Sequence, residues 1–342
     1  MKRWKRWTAL LLCALLWLPV VSVFAAETPQ VRRGVDVSRW QGTVDWAKMK
    51  AAGVEFAVLR CYAARKDVTF DANYAGAAAQ EIPVGAYTYM YATTEQGAVK
   101  EAQATLDALA GKPLTMPLFL DVEDSSIKTL GREKLTDLML IELAIFAAAG
   151  YPTGIYTSLS YRDSFMNARR LSTYDWWIAR WTCYRTDANN KLFTFADESP
   201  DSTKKPDCVL WQFSNGGRGS DLGAGSTAVD LDFCYKDYFS AGPCVPNEHR
   251  YTVTVRTPSC TEPGYLLMQC THCEQQLSTL YAPALGHTAP NEAGQCARCG
   301  LRIADAQNGT VCPLCGQTHN GLFDWLYLFV HRLLFWMKKS LV

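Results

Sequence analysis

The sequence lacks an excess of either charge. Its 342 residues carry 34 Lys and Arg against 33 Asp and Glu, a formal net charge of +1. No basic field is therefore available to gather a nucleic acid by its phosphates, and any site chemistry must be local. Long apolar runs are also scarce. The one near the amino terminus, Thr8 to Phe24, follows Lys2, Arg3, Lys5 and Arg6 and gives way to small residues at Ala25 and Ala26. That order reads as an export signal over residues 1–26, with a mature chain beginning near Glu27. The alternative is an uncleaved membrane anchor. Cys13 follows Leu11-Leu12, a poor lipoprotein acceptor context, and reads as an ordinary signal residue. Cysteine is thin through the long first part, where only Cys61, Cys183, Cys208, Cys234 and Cys244 occur. Cys260, Cys270, Cys273, Cys296, Cys299, Cys312 and Cys315 then crowd a short stretch.

What is present is a chain that is 49% hydrophobic, enough to bury a large core and form two or three domains. The cysteine shift places a boundary near Gly242-Pro-Cys-Val-Pro246. It gives residues 31–241 as one large domain, 245–290 and 291–319 as two small cysteine-rich modules, and 320–342 as an apolar aromatic end. Strand-like runs over residues 34–38, 54–60, 84–89, 116–123, 153–157, 175–179, 208–213 and 229–233 alternate at first with helical segments over 45–52, 71–81, 95–110, 132–149 and 160–168. The fourth helix is the clearest, with Leu135, Leu138, Met139, Glu142, Leu143 and Phe146 at helical spacing. Eight strands with five intervening helices predict an α/β architecture. The expected form is a modified TIM-like barrel of five β/α units followed by three β-strands, with its chemistry at the carboxyl ends of the strands.

One strand end is unusual. Met116-Pro-Leu-Phe-Leu-Asp-Val-Glu123 runs apolar and then presents two carboxylates one residue apart. Side chains two apart on a strand share a face, so Asp121 and Glu123 point together. Repulsion between them raises one pKa and keeps a proton available, as cleavage of a glycosidic bond requires. A solvated acidic loop capping the next helix would have the same sequence. The first strand adds Asp36, and the eighth adds Asp230 and Asp232; acids from three strands would meet at one barrel mouth. Tyr62, Tyr87, Tyr89, Tyr91, Tyr156, Trp177, Trp181 and Trp211 lie along the same edge. Flat rings with polar tips suit the faces of sugars, although core packing accounts for aromatics equally well.

In combination, Gly34-Val-Asp36-Val-Ser38, Trp40-Gln41-Gly42, Gly85-Ala-Tyr87, Leu120-Asp121-Val-Glu123, Gly154-Ile-Tyr156, Trp211-Gln212 and Val229-Asp230-Leu-Asp232 resemble glycoside hydrolase family 25, the N-acetylmuramidases (lysozymes) of bacterial peptidoglycan. The resemblance covers about residues 33–240 and implies the barrel reached above. By that resemblance Glu123 is the general acid and Asp121 assists the substrate's 2-acetamido group, with Asp36 and Asp230 as the remaining cleft acids. Tyr62, Tyr87, Tyr89, Tyr156, Trp181, Trp211 and Gln212 are the candidate substrate-binding residues. Peptidoglycan glycan strands are the implied partner, no cofactor is needed for catalysis, and the chain is expected to be exported to the cell surface or exterior of a bacterium. Carboxyl groups on one strand are poorly placed to flank a sugar ring, which favours a substrate-assisted route over an enzyme nucleophile. A silent wall-binding protein is the rival, but it would have no use for a proton-holding pair.

The chain departs from the family pattern at Cys61, expected near the mouth, and in a polar insertion from Cys183 to Asp207. A disulfide between two of Cys183, Cys208 and Cys234 would tie that insertion down. In the tail, Cys296-x2-Cys299-x12-Cys312-x2-Cys315 reads as a four-thiolate structural zinc site in a zinc-ribbon-like module, with disulfides as the alternative. Cys260, Cys270, Cys273 and His287 form a second candidate set, and His272 reads as a surface residue. The segment from Gly321 to Trp336, followed by Lys338 and Lys339, is too short to span a bilayer comfortably and carries Asp324, His331 and Arg332. A helix lying on the membrane surface fits best, with a short spanning anchor or a helix packed on the tail as alternatives.

Overall fold

The computed structural model describes residues 30–240, 246, 249–273, 275–288, 291, 293 and 295–300. The segment read above as an export signal, Cys244, Cys312, Cys315 and the apolar end therefore lie outside the described residues. No helix among the described residues is long and apolar enough to cross a membrane.

Eight strands close into a barrel in sequence order: β1 (Arg32–Val37), β2 (Phe56–Ala63), β3 (Val84–Tyr89), β4 (Leu118–Asp121), β5 (Thr153–Ser158), β6 (Asp175–Cys183), β7 (Leu210–Arg218) and β8 (Ala228–Cys234). Strands β1 to β7 pair in parallel, and β8 runs antiparallel to both of its neighbours, β7 and β1. Helices α1 (Trp46–Ala51), α2 (Phe70–Ala79), α3 (Glu95–Leu109), α4 (Arg132–Ala148) and α5 (Leu159–Phe165) follow the first five strands, and the one-turn α6 (Gly219–Leu222) precedes β8. The expected five β/α units and three further strands are all present. Three helix starts, those of α1, α3 and α5, are fixed by side-chain caps: Asp45 accepts from Lys48 N, Thr94 from Gly97 N and Ser158 from Tyr161 N.

Alternation along the strands divides the apolar residues between two cores. Phe56, Val58, Tyr87, Met116, Phe119, Tyr156, Trp177 and Leu210 fill the lumen. Val35, Val37, Leu59, Leu118, Leu120 and Ile155 face outward onto the helices, where Leu135, Leu138, Met139, Leu143 and Phe146 of α4 meet them. Two glycines make the lumen packing possible. A Cβ at Gly34 would stand 2.3 Å from the Phe56 ring, and one at Gly154 would stand 2.5 Å from Phe119.

Beyond the barrel lies an antiparallel sheet of β9 (Tyr251–Arg256), β10 (Gly264–Cys270) and β11 (Gln276–Ala282), in the order β11-β10-β9. It buries Leu266, Met268, Tyr281 and Ala282 in the outer core of the barrel. Arg170 secures the contact by donating from Nη2 to the Tyr281 carbonyl at 2.6 Å while pairing with Asp137 at 2.6 Å.

The Cys183–Asp207 insertion is not tied by a disulfide, because Cys183, Cys208 and Cys234 are all free thiols. Aromatic burial takes that role. Phe193 bridges to Gly217, and Phe195 packs on Phe213 and Phe233, which stack at 4.5 Å. The Asn215 side chain clasps the Arg185 backbone, accepting from its N–H at 2.7 Å and donating to its carbonyl at 3.0 Å.

Candidate active site

The mouth of the barrel holds a cavity of about 340 Å³ lined by Asp36, Asp121, Glu123 and Asp230. Three strand ends converge to make it. Asp36 and Asp230 are cross-strand partners of β1 and β8, and Asp121 closes β4. The chain runs on through Val122, whose N–H donates to the Tyr156 carbonyl at 2.9 Å. That bond holds Glu123 on the same side as Asp121. Asp121 is 3% exposed, whereas Glu123 stands open at the rim.

Trp177 forms the floor. Its ring meets Tyr156 at 4.4 Å, Phe119 at 5.3 Å and Tyr87 at 5.9 Å, and its Nε1 donates to Asp232 Oδ1 at 2.7 Å. Above it Gln212 is locked in one orientation. Tyr156 Oη and Trp181 Nε1 both donate to Gln212 Oε1 at 2.9 Å, which turns Nε2 toward Asp36 Oδ2 at 2.7 Å. Trp181 and Tyr184 continue outward as a stacked pair, with centroids 5.3 Å apart and 16° between planes.

Loss of solvent dominates the electrostatics of the acids. Burial first, then Glu123 and Asp36, push the Asp121 carboxyl well above the usual range, and Asp121 Oδ1 has no hydrogen-bond partner. Glu123 reaches solvent at the rim, but the cavity walls still strip water from its carboxyl and so raise its pKa first, followed by the charge of Asp124, with Lys128 opposing them. The expected repulsion within the 121/123 pair therefore operates on Asp121 but ranks second to burial. Asp36 is raised to about 6, chiefly by burial, against the stabilising bond from Gln212. Asp230 and Asp232 are raised well above the ordinary carboxylate range by burial and then by Asp36. Asp232 is held by the Trp177 indole through Oδ1, while its buried Oδ2 has no hydrogen-bond partner. The site is thus a cluster of buried acids whose desolvation favours their protonated forms.

Of the candidate binding residues, Tyr87, Tyr89, Tyr156, Trp181 and Gln212 line the cavity. Two do not. Trp211 is fully buried on the outer side of β7, edge-on to Phe213, with Nε1 donating to the Arg180 carbonyl. Since Gln212 points inward, its strand neighbour must point out. Tyr62 also belongs to the outer layer, because a register shift between Arg60 and Tyr62 breaks the alternation of β2. Cys61 likewise faces away from the mouth, buried with Sγ against the Tyr87 carbonyl at 3.2 Å.

Arg60 and Asn215 line the cavity and were not among the sequence candidates, and Ser38 and Trp40, quoted only as part of the family motifs, line it as well. Arg60 had a readable signal, a lone cation at the carboxyl end of an apolar strand. It pairs with Asp67 through Nε and Nη2, both at 2.8 Å. Burial works against an ionised Asp67. Hydrogen bonds from Thr69, the Arg39 N–H and Arg60 outweigh it and hold the carboxyl below its usual range. Arg60, Trp40 and Tyr89 also border a second cavity of about 550 Å³ whose other walls include Arg39, Arg65, Lys66 and Tyr91.

The tail thiols are grouped differently from the sequence expectation. Cys260 and His287 join Cys296 and Cys299, while Cys270 and Cys273 join His249; within each group the ligand atoms lie within 4.8 Å of one another. Spacing along the chain had assigned Cys260 and His287 to Cys270 and Cys273, but the turns of the sheet carry them to opposite sets. The expected completion of the first set by Cys312 and Cys315 falls outside the described residues. His272 is exposed, as expected.

An acid-lined, aromatic-walled mouth on a modified barrel defines a carbohydrate-active class of site, and the sequence comparisons name the class. The family model of glycosyl hydrolases family 25 matches residues 35–222, and the chain belongs to that family. Lysozyme M1 of Streptomyces globisporus is 36% identical over 105 residues, covering 29% of this chain and 34% of the relative. The chain thus spans about a third of that curated relative. The uncharacterized protein YegX of Escherichia coli strain K12 is 27% identical over 191 residues, 52% of this chain and 68% of that protein. A solved family 25 glycosyl hydrolase from Bacillus anthracis aligns with 20% identity and a TM-score of 0.48 over 60% of this chain and 89% of that one.

Proposed function

We propose that this protein is an exported peptidoglycan hydrolase that cleaves the β-1,4 bond between N-acetylmuramic acid and N-acetylglucosamine. The observation that carries the reading is the convergence of Asp36, Asp121, Glu123 and Asp230 on one aromatic-walled cavity. Family membership and the lysozyme relative support it.

In this reading Glu123 is the general acid. It stands at the rim, where a leaving oxygen can reach it, and its raised pKa keeps it protonated further toward neutral pH than an ordinary carboxyl. Asp121, buried beside it with a free oxygen, receives the N–H of the 2-acetamido group and orients its carbonyl toward the anomeric carbon. As that carbonyl oxygen attacks, the glycosidic C–O bond breaks and the Glu123 proton passes to the leaving oxygen. Water then opens the cyclic intermediate, with Glu123 taking back a proton. Asp36, fixed by Gln212 and with its pKa raised by burial, limits the charge the cluster accumulates. Tyr87, Tyr156 and Trp181 pack against sugar faces. Every step uses groups of the chain and the substrate, so the chemistry calls on no cofactor. The adjoining basic cavity, with Arg39, Arg65 and Lys66 on its walls, suits the carboxylates of a peptide stem attached to the muramic acid.

The test is incubation of the chain from Glu27 onward with purified peptidoglycan beside a Glu123→Gln variant. The expected result is new reducing ends on N-acetylmuramic acid, reduced about 10²–10⁴-fold in the variant, with weaker action on glycan stripped of its peptides. Equal rates for the two proteins would remove Glu123 from the mechanism. Binding without release by both would place the chain among wall-binding proteins.

A further inference from the structure

The described part of the segment after β11 has no strand longer than an isolated bridge and almost no apolar core. Among its described residues 283–288, 291, 293 and 295–300, only Cys296 is a buried side chain. Yet this stretch folds back onto the turn before β10, where the Leu285 N–H donates to the Ser259 carbonyl at 2.8 Å. The meeting point is a set of four soft donors. Cys260 Sγ lies 3.8 Å from Cys296 Sγ, and Cys299 Sγ lies 3.3 Å from His287 Nδ1. All four ligand atoms fall within 4.8 Å of one another.

Those separations discriminate between the ways such groups can associate. A disulfide requires sulfurs about 2.0 Å apart, and no apolar packing draws the exposed Cys299 and the half-buried His287 onto Cys260 and Cys296. Ligands at about 2.3 Å (sulfur) and 2.0–2.1 Å (nitrogen) on a tetrahedron stand about 3.8 Å apart for two sulfurs and about 3.5 Å for sulfur and nitrogen. The surroundings also suit thiolates. Thr288 directs both its N–H, at 3.4 Å, and its hydroxyl, at 3.3 Å, at Cys296 Sγ. Gly300, with φ of 72°, lets the chain turn back after Cys299 so that its N–H reaches the Cys296 carbonyl at 2.8 Å. This closes the Cys-x2-Cys loop around a common centre.

We propose that Cys260, His287, Cys296 and Cys299 bind one structural zinc ion that clamps the end of this segment to the sheet β9–β11. Four protein ligands leave no open coordination position, so the ion takes no part in hydrolysis. It supplies the stability that a small sheet with one buried face cannot draw from apolar contacts. The site is independent of the glycan cleft and stands whether or not the chain cuts peptidoglycan.

The test uses the full chain, purified without reductant, with zinc counted by mass spectrometry and the site probed by cobalt substitution. Cys260→Ser and Cys299→Ser should each lose the same single equivalent of metal, and the double variant should lose no more than either. Cys312→Ser should retain that equivalent. His287→Cys should keep it, with the cobalt absorption shifted toward that of a four-sulfur site, which separates a lost ligand from a module that has merely unfolded. A Cys260–Cys296 disulfide in the protein as first isolated, with no metal bound and none removed, would overturn the assignment. So would full zinc retention in Cys260→Ser.

Discussion

The barrel buries both faces of its strands, one in the lumen and one under the helices, whereas the sheet β9–β11 buries little more than one. Strand β9 alternates half-buried and exposed along its whole length, and β10 contributes Leu266 and Met268 to a core that belongs to its neighbour. The barrel can therefore fold on apolar burial alone. The sheet borrows the barrel's outer surface and, by the proposal above, a metal ion. Chain length decides which strategy is open, since a short module cannot remove enough apolar surface from water to offset its ordering entropy.

The largest effect that would break this contrast is a cavity in the lumen. Phe119 is fully buried between Trp177 and Gly154, and Phe119→Ala should cost about 3–5 kcal/mol in chemical denaturation. The matching cut in the tail, Met268→Ala, should leave the global transition of the barrel nearly in place. Equal losses from the two substitutions would mean that the sheet and the barrel unfold as one core.

A second effect, about 1–3 kcal/mol, runs the other way. Folding raises the Asp36 pKa to about 6, so between the ordinary carboxylate pKa of about 4 and that value the native state binds more protons than the unfolded one. Stability should therefore fall as pH rises through this window and stay lower above it. Asp36→Asn should be more stable than the parent at pH 7 and close to it below pH 4, with the slope between flattened. An unchanged slope would assign the effect to other acids. The tail has no corresponding buried carboxylate cluster among its described residues, so its local stability should lack this dependence.

The barrel was legible because its strands are continuous apolar runs closed by polar signals, and because the acids sit at strand ends where a parallel barrel gathers them. Asp36, Asp121, Glu123 and Asp230 needed only that geometry. Errors arose where a single residue decides direction. Trp211 and Gln212 are adjacent on one strand, so alternation alone forbids both from facing the mouth. Tyr62 obeys the alternation in sequence, and only the register shift after Arg60 takes it out, which no local pattern announces. The tail was less readable for a different reason. Thiol spacing marks ligand pairs such as Cys296 and Cys299, but which distant residues complete each set depends on how the turns of β9–β11 lie against one another. Likewise the insertion after Cys183 invited a disulfide, although Phe193 and Phe195 already carried the anchoring information.

The smallest effect concerns the joint between the two regions. Arg170 reaches from the barrel side to Tyr281 of β11, and its other contacts, Asp137 and Glu133, are barrel residues. Its guanidinium is mostly covered, so the charge-assisted bond to the Tyr281 carbonyl should hold β11 by about 1.5 kcal/mol. Arg170→Ala should therefore speed amide exchange in β11 about tenfold while leaving exchange in β1–β8 and the rate of glycan release unchanged. The Asp137 carboxyl, already raised by burial and lowered by Arg170, should rise further in the variant. If exchange quickens throughout the barrel instead, the sheet is part of the barrel's own cooperative unit. If release slows while barrel exchange holds, the sheet positions the cleft on its substrate, and the two regions are joined in function as well as in packing.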